Sequence, residues 1–342
     1  MRFLVEASNT RVAVAGGAIV EPVGPFDAVV RVPNGELRPG LINAHDHLHR
    51  NHYGRLGNPP YVNAYEWGRD IHDRCATEIA RGRRMPARAA VLHGAWKNLI
   101  AGVTTVVHHD PWTPELDGPL PIRVARIRCA HSLGIEPDAV AACHDESPFA
   151  VHVAEGVDDG AADEIRELDA RGVLDDHLLA VHVVGADDDG VRRLTNAGAA
   201  VVWCPTSNQF LFGRTAPPDL LAGCDVLLGS DSLLTGAGSL LDEIRSARTV
   251  GLVDDARLIA SVGRTAAARL QVPAPSLDPG APADLVVFSR PLLECDAGDV
   301  VLVVCAGVPR VIHPALRESF GPLAADAREM RAFGVTRWVI DA

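Results

Sequence analysis

Four histidines stand within eight positions near the start of the chain, in the segment PGLINAHDHLHRNHYGRL at residues 39–56. They are His45, His47, His49 and His52. The first two alternate with Asp46 at the end of an apolar run typical of a β-strand, so both imidazoles should point to the same face. Two neutral imidazoles held this close supply half of a metal site. Taken alone, such a pair is a weak signal, because most pairs of this spacing are incidental surface or core histidines.

Later apolar runs end in side chains of the same chemical kind. FAVHVAEG carries His152 and Glu155, LLAVHVVG carries His182, and DVLLGSDS carries Asp231. Imidazoles and carboxylates bind divalent metals and transfer protons near neutral pH. The alternatives are buried structural hydrogen bonding for the set, a helix-initiating acid for Glu155 and a core histidine for His182. Their recurrence at several strand ends favours a single site.

Length and composition favour one large domain with a small accessory part. The chain has 342 residues, 47% of them hydrophobic, and a formal net charge of -12. Its arginines are scattered, so neither nucleic acid nor a membrane surface is an expected partner. The start lacks the pattern of a signal peptide, and no apolar run reaches the about 18 residues of a membrane span. Seven dispersed cysteines without a CxxC pair indicate reduced thiols. We therefore expect a cytoplasmic protein with a small-molecule substrate.

Strands and helices alternate from Leu41 to about Leu270, and they must position the site. The apolar runs are nearly continuous, as parallel strands covered on both faces require. Segments of helical period such as PARAAVLHGAWKNLI separate them. Because the chemistry-bearing residues fall at the C-terminal ends of strands, we predict an α/β fold of the (β/α)8 type, a TIM-like barrel. The stretch from Ile122 to Glu155 is too short for two full units, so one unit should be reduced or absent.

Short β-branched runs at both ends of the chain predict a second, smaller domain. Residues 1–38 and 275–315 are expected to form a small β-sandwich-like domain, with antiparallel pairing of FLVEA, TRVAVAG and DAVVRV. Residues 39–274 are expected to form the barrel, and residues 316–342 a C-terminal helix and tail.

Several motifs, in this order, resemble those of the metal-dependent amidohydrolase superfamily. PGLINAHDH looks like the family's PG(L/F)xNxHxH opening and AYEWG like its Glu-Trp helix motif, while AGVTTVV, HVAEG, WCPTSNQFLFG and LLGSDS have counterparts at compatible spacing. PADLVVFS resembles the strand that closes the family's accessory sheet. The resemblance covers essentially the whole chain and is strongest to the branch of cytosine, guanine and S-adenosylhomocysteine deaminases and triazine (chloro)hydrolases. The compressed middle of the chain departs from the family, which affects the expected pocket shape but not the metal site.

The resemblance implies a ligand set and proton carriers. The implied ligands of one divalent metal and its water are His45, His47, His152 and Asp231. Such an ion lowers the pKa of bound water towards about 7, so that hydroxide is present at neutral pH. Asp231 would also accept the proton of that water. By the same resemblance Glu155 is the proton shuttle, and His182 polarises the atom under attack.

A missing residue bears on the number of metals. Many binuclear relatives bridge two metals with a carboxylated lysine at the end of the fourth strand. The only lysine of this chain is Lys97, inside a segment of helical period. The resemblance therefore implies a mononuclear site, for which we expect zinc, with iron and manganese as alternatives because imidazole ligands do not select among them.

Other polar and aromatic residues are candidates for contact with substrate. They are His49, His52, His109, His131 and Trp67, each of which could instead be a packed or solvated side chain. The sequence PTSN contributes Thr206, Ser207 and Asn208, a polar turn after the seventh apolar run that should support the site structurally.

The implied activity is hydrolytic deamination of an aminated N-heterocycle, which is hydrolysis of a C–N bond other than a peptide bond. Two alternatives stay open: hydrolysis of a cyclic or linear amide, or of another leaving group, at the same site, and a non-catalytic binding protein on the same barrel. The compression at residues 113–148 should reshape the pocket wall and leave the chemistry unchanged, with residues 108–120 bordering the substrate. We also expect a homo-oligomer, because the gap left by a missing unit must be covered.

Overall fold

The computed structural model describes residues 2–341. The chain begins with five short strands: β1 (Arg2–Ala7), β2 (Arg11–Ala15), β3 (Ala18–Val20), β4 (Ala28–Val32) and β5 (Glu36–Pro39). The first four form a sheet in the order β3-β2-β1-β4. β1 is antiparallel to β2 but parallel to β4. The expected antiparallel pairing is therefore wrong for β4, which joins the sheet on the other side of β1.

The middle of the chain supplies short parallel strands whose residues are mostly buried. They are β6 (Leu41–Asp46), β7 (Val103–His108), β8 (Arg123–Ala125), β9 (Arg128–Ser132), β10 (Phe149–Val153), β11 (Leu178–His182), β12 (Ala200–Trp203) and β13 (Asp225–Leu228). β6, β7 and β8 form one parallel sheet, and the other five form a second in the order β13-β12-β11-β10-β9. Their continuous apolar sequences match burial on both faces.

Helices separate most of these strands. They are α1 (Ala64–Arg74), α2 (Ala76–Gly82), α3 (Ala87–Ile100), α4 (Pro114–Asp117), α5 (Pro137–Cys143), α6 (Asp159–Ala170), α7 (Asp188–Ala197), α8 (Pro205–Phe212), α9 (Pro218–Gly223), α10 (Leu240–Val250), α11 (Asp255–Ser261), α12 (Arg264–Arg269) and α13 (Arg317–Phe320). Pro86 precedes α3 and left-handed Gly198 ends α7, as their sequences predict. Within residues 2–341, none of the helices combines the length and apolarity needed to cross a bilayer.

One extended segment takes the place of a full strand-helix unit. Only Arg126 and Ile127 separate β8 from β9, and there is no helix between them. β8 pairs with β7, and β9 pairs with β10. The first half of the segment therefore pairs with β7 and the second half with β10. This is the compression expected from the short stretch before Glu155.

The end of β13 returns to β6. The backbone N–H groups of Ser230 and Asp231 donate to the carbonyl oxygen of His45 at 3.0 and 3.1 Å. Gly229 permits this approach, because a Cβ at that position would lie 2.6 Å from Cβ of His45. The two site-bearing strands are thus held in direct contact.

Both chain ends contribute to one further sheet. The last strands are β14 (Leu285–Phe288), β15 (Val300–Cys305), β16 (Val308–Ile312), β17 (Arg328–Ala332) and β18 (Val335–Val339). They form a sheet in the order β17-β18-β16-β15-β14-β5, in which β5 comes from the N-terminal part. The fold is therefore α/β, with parallel sheets and a separate antiparallel sheet. The predicted domain boundaries stay a prediction.

The predicted C-terminal helix is wrong for most of the tail. In the described part of the tail, helical structure is limited to α13 and the short 3-10 helices Pro314–Leu316 and Gly321–Ala324 beside it, and β17 and β18 form a hairpin after them. Ala332 pairs with Val335, so the loop consists of Phe333 and Gly334, both at positive φ (54° and 77°). Such two-residue turns match the twist of paired strands, and a glycine accepts this backbone readily.

Candidate metal centre

The C-terminal ends of four parallel strands bring the predicted ligands and proton carriers together. The ring centroid of His45 lies 4.9 Å from that of His47 and 5.1 Å from that of His152. The rings of His152 and His182 are stacked with centroids 5.4 Å apart. Oδ1 of Asp231 lies 3.6 Å from Nε2 of both His45 and His47. Each of these residues is at most 6% exposed.

The histidines use Nδ1 for hydrogen bonds within the protein. Three of them donate to an oxygen: His47 to Asp110 Oδ2 (2.5 Å), His152 to the His131 carbonyl (2.7 Å) and His182 to Asn208 Oδ1 (2.9 Å). A neutral imidazole carries one N–H, so Nε2 of each ring keeps its lone pair. This is the arrangement by which proteins orient metal-binding histidines.

The free donor atoms of the cluster fit a divalent metal ion. His45 Nε2 is buried and has no hydrogen-bond partner. Oδ2 of Asp231 accepts hydrogen bonds from Ser207 Oγ at 2.8 Å and from Thr235 Oγ1 at 2.7 Å, which leaves Oδ1 facing the imidazoles. Ligand atoms of His45, His47 and Asp231 lie within 4.8 Å of one another. Imidazole nitrogens with one carboxylate oxygen are a donor set typical of zinc.

Burial keeps these imidazoles in the form that binds metal. It lowers the pKa of His45 and of His152, and it lowers the pKa of His47 to about 3 despite the opposing charge of Asp110. A neutral imidazole has a lone pair to donate, whereas an imidazolium has none.

Glu155 lies beside this set of donors. Its Oε1 is 3.5 Å from Nε2 of His182. Burial raises the pKa of Glu155 to about 7, partly offset by His182. A carboxyl group with such a pKa can both donate and accept a proton near neutral pH. Both residues line a cavity of about 1320 Å³, together with His47, His152 and Asp231.

The backbone is strained where the strands end at the site. Ala154 (φ 49°) follows β10, His182 (φ 71°) ends β11 and Val183 (φ 50°) follows it, and Asp231 (φ 49°) comes after β13. Residues other than glycine rarely adopt this left-handed conformation, least of all β-branched ones such as Val183. Strain of this kind concentrates at functional sites, where the surrounding structure holds it.

Two deaminases share sequence with this chain. It is 42% identical over 74 residues to the aminodeoxyfutalosine deaminase of Deinococcus radiodurans, covering 21% of the chain and 18% of that protein. It is 33% identical over 165 residues to the 5-methylthioadenosine/S-adenosylhomocysteine deaminase of Natronomonas pharaonis, covering 43% of the chain and 38% of that protein. The chain thus spans less than half of the length of these curated relatives.

The fold has a counterpart among solved structures. An adenosine deaminase from Xanthomonas campestris with bound zinc superposes with a TM-score of 0.70 at 19% identity, covering 92% of this chain and 94% of that one. No family model matches the sequence. Parts of the chain are thus similar in sequence to deaminases, and its fold resembles that of an adenosine deaminase with bound zinc. The resemblance predicted from the motifs is confirmed.

Four of the five predicted substrate-contact residues lie at the wall of the cavity. The cavity is lined by His49, His52, Trp67 and His131, and by part of the segment 108–120, including His108 and Asp110. Direct contact between these residues and a substrate stays a prediction.

His109 is placed differently from the expectation. It is 2% exposed and does not line the cavity. Its Nε2 lies 2.9 Å from the Ala130 carbonyl and its Nδ1 lies 3.1 Å from Nδ1 of His45. The structure therefore does not place His109 with the other candidates, because both of its nitrogens face groups inside the protein, and its contact with a substrate stays a prediction.

The segment predicted as a polar turn is instead the first helical turn of α8, and its side chains contact the site. Ser207 bonds to Asp231, and Asn208 accepts from His182. The Thr206 backbone N–H donates to Oε2 of buried Glu243 at 2.9 Å, and its hydroxyl donates to the same carboxyl group.

Sequence reasoning missed the charged groups behind the ligands. Nζ of Lys97 lies 3.1 Å from Oδ2 of Asp46, and it donates to Asn51 Oδ1 at 2.8 Å and to the Asp231 carbonyl at 3.2 Å. Asp110, which holds His47, also pairs with Arg50. The sequence did carry a signal for Lys97, because it is a charged residue on the otherwise apolar, buried face of α3.

Proposed function

We propose that this chain is a metal-dependent hydrolase that deaminates an aminated N-heterocycle. The observation that carries the proposal is the convergence of unprotonated imidazole nitrogens and one free carboxylate oxygen beside Glu155, at the wall of a large cavity. Deaminase is also the activity in the names of both curated relatives.

One divalent ion would be held by His45, His47, His152 and Asp231. The orphaned Nε2 of His45 and the free Oδ1 of Asp231 support this assignment. Zinc is the favoured ion, as in the Xanthomonas campestris structure, with iron and manganese as alternatives. When bound, such an ion supplies hydroxide near neutral pH by lowering the pKa of water. The only lysine, Lys97, is engaged with Asp46, which supports a site for one metal.

Glu155 and His182 would move the protons of the reaction. With a pKa of about 7, Glu155 can give a proton to a ring nitrogen of the substrate and later return one to the leaving amine. His182 holds its Nδ1–H on Asn208, so its Nε2 faces Glu155 and the cavity in a fixed orientation. Asp231 would also accept a proton from the attacking water, and its carboxylate is held in orientation by two hydroxyl donors on Oδ2.

The cavity would accept a planar, aromatic substrate. Its wall presents the flat side chains of His49, His52, Trp67 and His131. Aromatic faces of this kind stack on heterocycles. The volume of about 1320 Å³ leaves room for substituents on the ring.

Three further features belong to the proposal. The contacts of β13 with β6, and the shared segment of β8 and β9, support one closed barrel with a reduced unit. The seven free cysteines accord with the cytoplasm as location. A homo-oligomer is the proposed assembly, which light scattering of the purified protein would test.

Metal analysis combined with a substrate panel tests the function. We expect about one equivalent of metal per chain. We also expect ammonia release from one or more aminated purines, pyrimidines, pterins or triazines. Chelation should abolish this release and zinc should restore it. Release from cyclic amides alone would shift the activity to amide hydrolysis, and a metal-loaded protein inactive on every class would contradict the proposal.

A further inference from the structure

A fifth buried histidine lies against the proposed ligands, and none of the roles above uses it. The ring centroid of His109 is 4.8 Å from that of His45 and 4.2 Å from that of His152, on which it stacks at 29°. It is 2% exposed and does not line the cavity. An imidazole in this position either binds the metal or holds a ligand in place.

The hydrogen-bond partners of His109 decide between these two roles. Its Nε2 lies 2.9 Å from the carbonyl oxygen of Ala130, which can only accept, so Nε2 carries a hydrogen. A buried imidazolium that is not paired with a carboxylate is costly, so the ring is neutral and its Nδ1 has a lone pair. That Nδ1 lies 3.1 Å from Nδ1 of His45. Two facing lone pairs would repel, so His45 carries the hydrogen on Nδ1 and donates it to His109.

This assignment fixes the state of the other nitrogen of His45. Its Nε2 then has no hydrogen, and Nε2 is the buried atom without a partner, 3.6 Å from Oδ1 of Asp231. With the hydrogen on Nε2 instead, the ring could not bind a metal there. We propose that His109 is a positioning residue that holds His45 in its Nδ1–H tautomer, an inference that rests on the metal site of the proposed function.

His45 differs in this respect from the other proposed histidine ligands. His47 and His152 donate to oxygen atoms that cannot become donors. The imidazole of His109 could reverse its tautomer, so the Ala130 carbonyl must first fix the hydrogen on Nε2. The relay runs from Ala130 through His109 to His45.

The relay begins in the compressed segment of the fold. Ala130 and His131 are neighbours in β9, and their carbonyls accept hydrogen bonds from His109 and His152 respectively. Adjacent peptide groups thus orient two ligands, one directly and one through a second imidazole. This segment therefore contacts His109 and His152 as well as the cavity wall, and the expectation that the compression leaves the chemistry unchanged stays a prediction.

Zinc affinity of three proteins tests the relay. The proteins are the wild type, His109→Phe, which keeps a ring but has no acceptor, and His109→Asn, whose amide oxygen can take the place of Nδ1. Competition with a chelator should show zinc binding weakened about 10–100-fold in His109→Phe and largely restored in His109→Asn. His144→Phe is the control, since Nε2 of His144 pairs with Asp175 at 2.8 Å and this residue does not line the cavity.

Nitrogen-15 spectra of histidine-labelled, metal-free protein provide a readout independent of zinc. The wild type should show His45 in the Nδ1–H form, and His109→Phe should lose that signal. The relay is overturned if His109→Phe binds zinc as tightly as the wild type does, or if His109→Asn is as weak as His109→Phe. Zinc coordinated by His109 in a crystal structure would also overturn it. A wild-type protein that binds no zinc would instead remove the proposed function itself.

Discussion

Nζ of Lys97 lies 3.1 Å from Oδ2 of Asp46, and the two residues are 2% and 0% exposed. Asp46 stands between His45 and His47 in the chain, and Lys97 also donates to the carbonyl of Asp231 at 3.2 Å. The ion pair therefore connects the ends of β6 and β13, which carry three of the proposed ligands. It does so from a position that does not line the cavity.

Lys97→Met should destabilise the metal-free protein by about 3–5 kcal/mol, because Asp46 would remain as a buried carboxylate without its cation. Adding Asp46→Asn should recover much of the loss, since the amide has no charge to compensate. Urea unfolding measures both changes.

Arg192→Met is the control for this ion pair. It removes an exposed ion pair with Asp189 and should change the stability much less than Lys97→Met does, because water screens such a pair. If the single and double variants at Lys97 and Asp46 lose the same stability, charge compensation is not what the pair provides.

The residues of the candidate site were predictable because their signal is local. HxH, HVAE and SD each end an apolar run, and the C-terminal ends of parallel strands lie on one face of such a fold. Lys97, His109 and Asp110 act through partners far away in sequence, such as Asn51 and Ala130. Only the folded chain brings these pairs together, so no local pattern marks them.

The fold was predictable to a similar depth. Alternating strands and helices indicate the α/β class, and the short stretch before Glu155 indicates a reduced unit. Residues 123–125 pair with β7 and residues 128–132 pair with β10. This division depends on which strands meet in the folded chain, and the hydrophobic periodicity of one segment does not reveal it. The hairpin of the tail was missed although Gly334 precedes the β-branched run VTRWV, a pattern typical of a turn and strand.

Gly229→Ala should weaken zinc binding by about 10-fold or more, a size seen when a ligand loses its orientation. The added Cβ would lie 2.6 Å from Cβ of His45 and 3.0 Å from Sγ of Cys204, so the backbone of β6 or β13 must move. Gly54→Ala is the control, because a Cβ there meets nothing within 4 Å. Chelator competition measures the affinity, and an unchanged value would show that the strands absorb the extra atom without moving His45.

Glu155→Gln should keep the metal but lower turnover by about 100-fold or more, the loss expected when a positioned acid/base group is removed. Glu155 is outside the proposed ligand set and faces His182 at 3.5 Å. Metal content and ammonia release, measured on the same preparation, separate the two effects. Loss of metal from this variant would instead make Glu155 a ligand, and normal turnover would remove it from the mechanism.

The stability of the metal-free protein should depend on pH through Glu155. Its pKa is raised from 4.5 to about 7, so the folded protein binds this proton more tightly than the unfolded chain does. The resulting stabilisation is fully present below pH 4.5 and is lost as the pH rises through about 7.

Glu155→Gln removes this dependence. Relative to the wild type, its free energy of unfolding should rise by about 1–3 kcal/mol between about pH 5 and about pH 8, with the lower part of the range favoured by the 13% exposure of the side chain. Denaturant unfolding at the two pH values measures the difference. Glu318→Gln, at an exposed position, is the control and should show no such trend. If the free energies of unfolding of wild type and Glu155→Gln differ by the same amount at both pH values, burial does not shift the ionisation of Glu155.

His131→Ala should raise KM and leave the metal content unchanged, because the two halves of this residue have separate roles. The backbone carbonyl, which the substitution keeps, accepts from Nδ1 of His152 at 2.7 Å. The ring lines the cavity with its centroid 4.8 Å from that of His152, so its loss should lower kcat/KM by about 10-fold, a change of about 1.4 kcal/mol. His144→Ala, which removes a partly exposed histidine paired with Asp175 and outside the cavity lining, is the matched control. Metal loss in His131→Ala would show that the ring itself supports the ligands, and an unaltered KM would place the substrate elsewhere in the cavity.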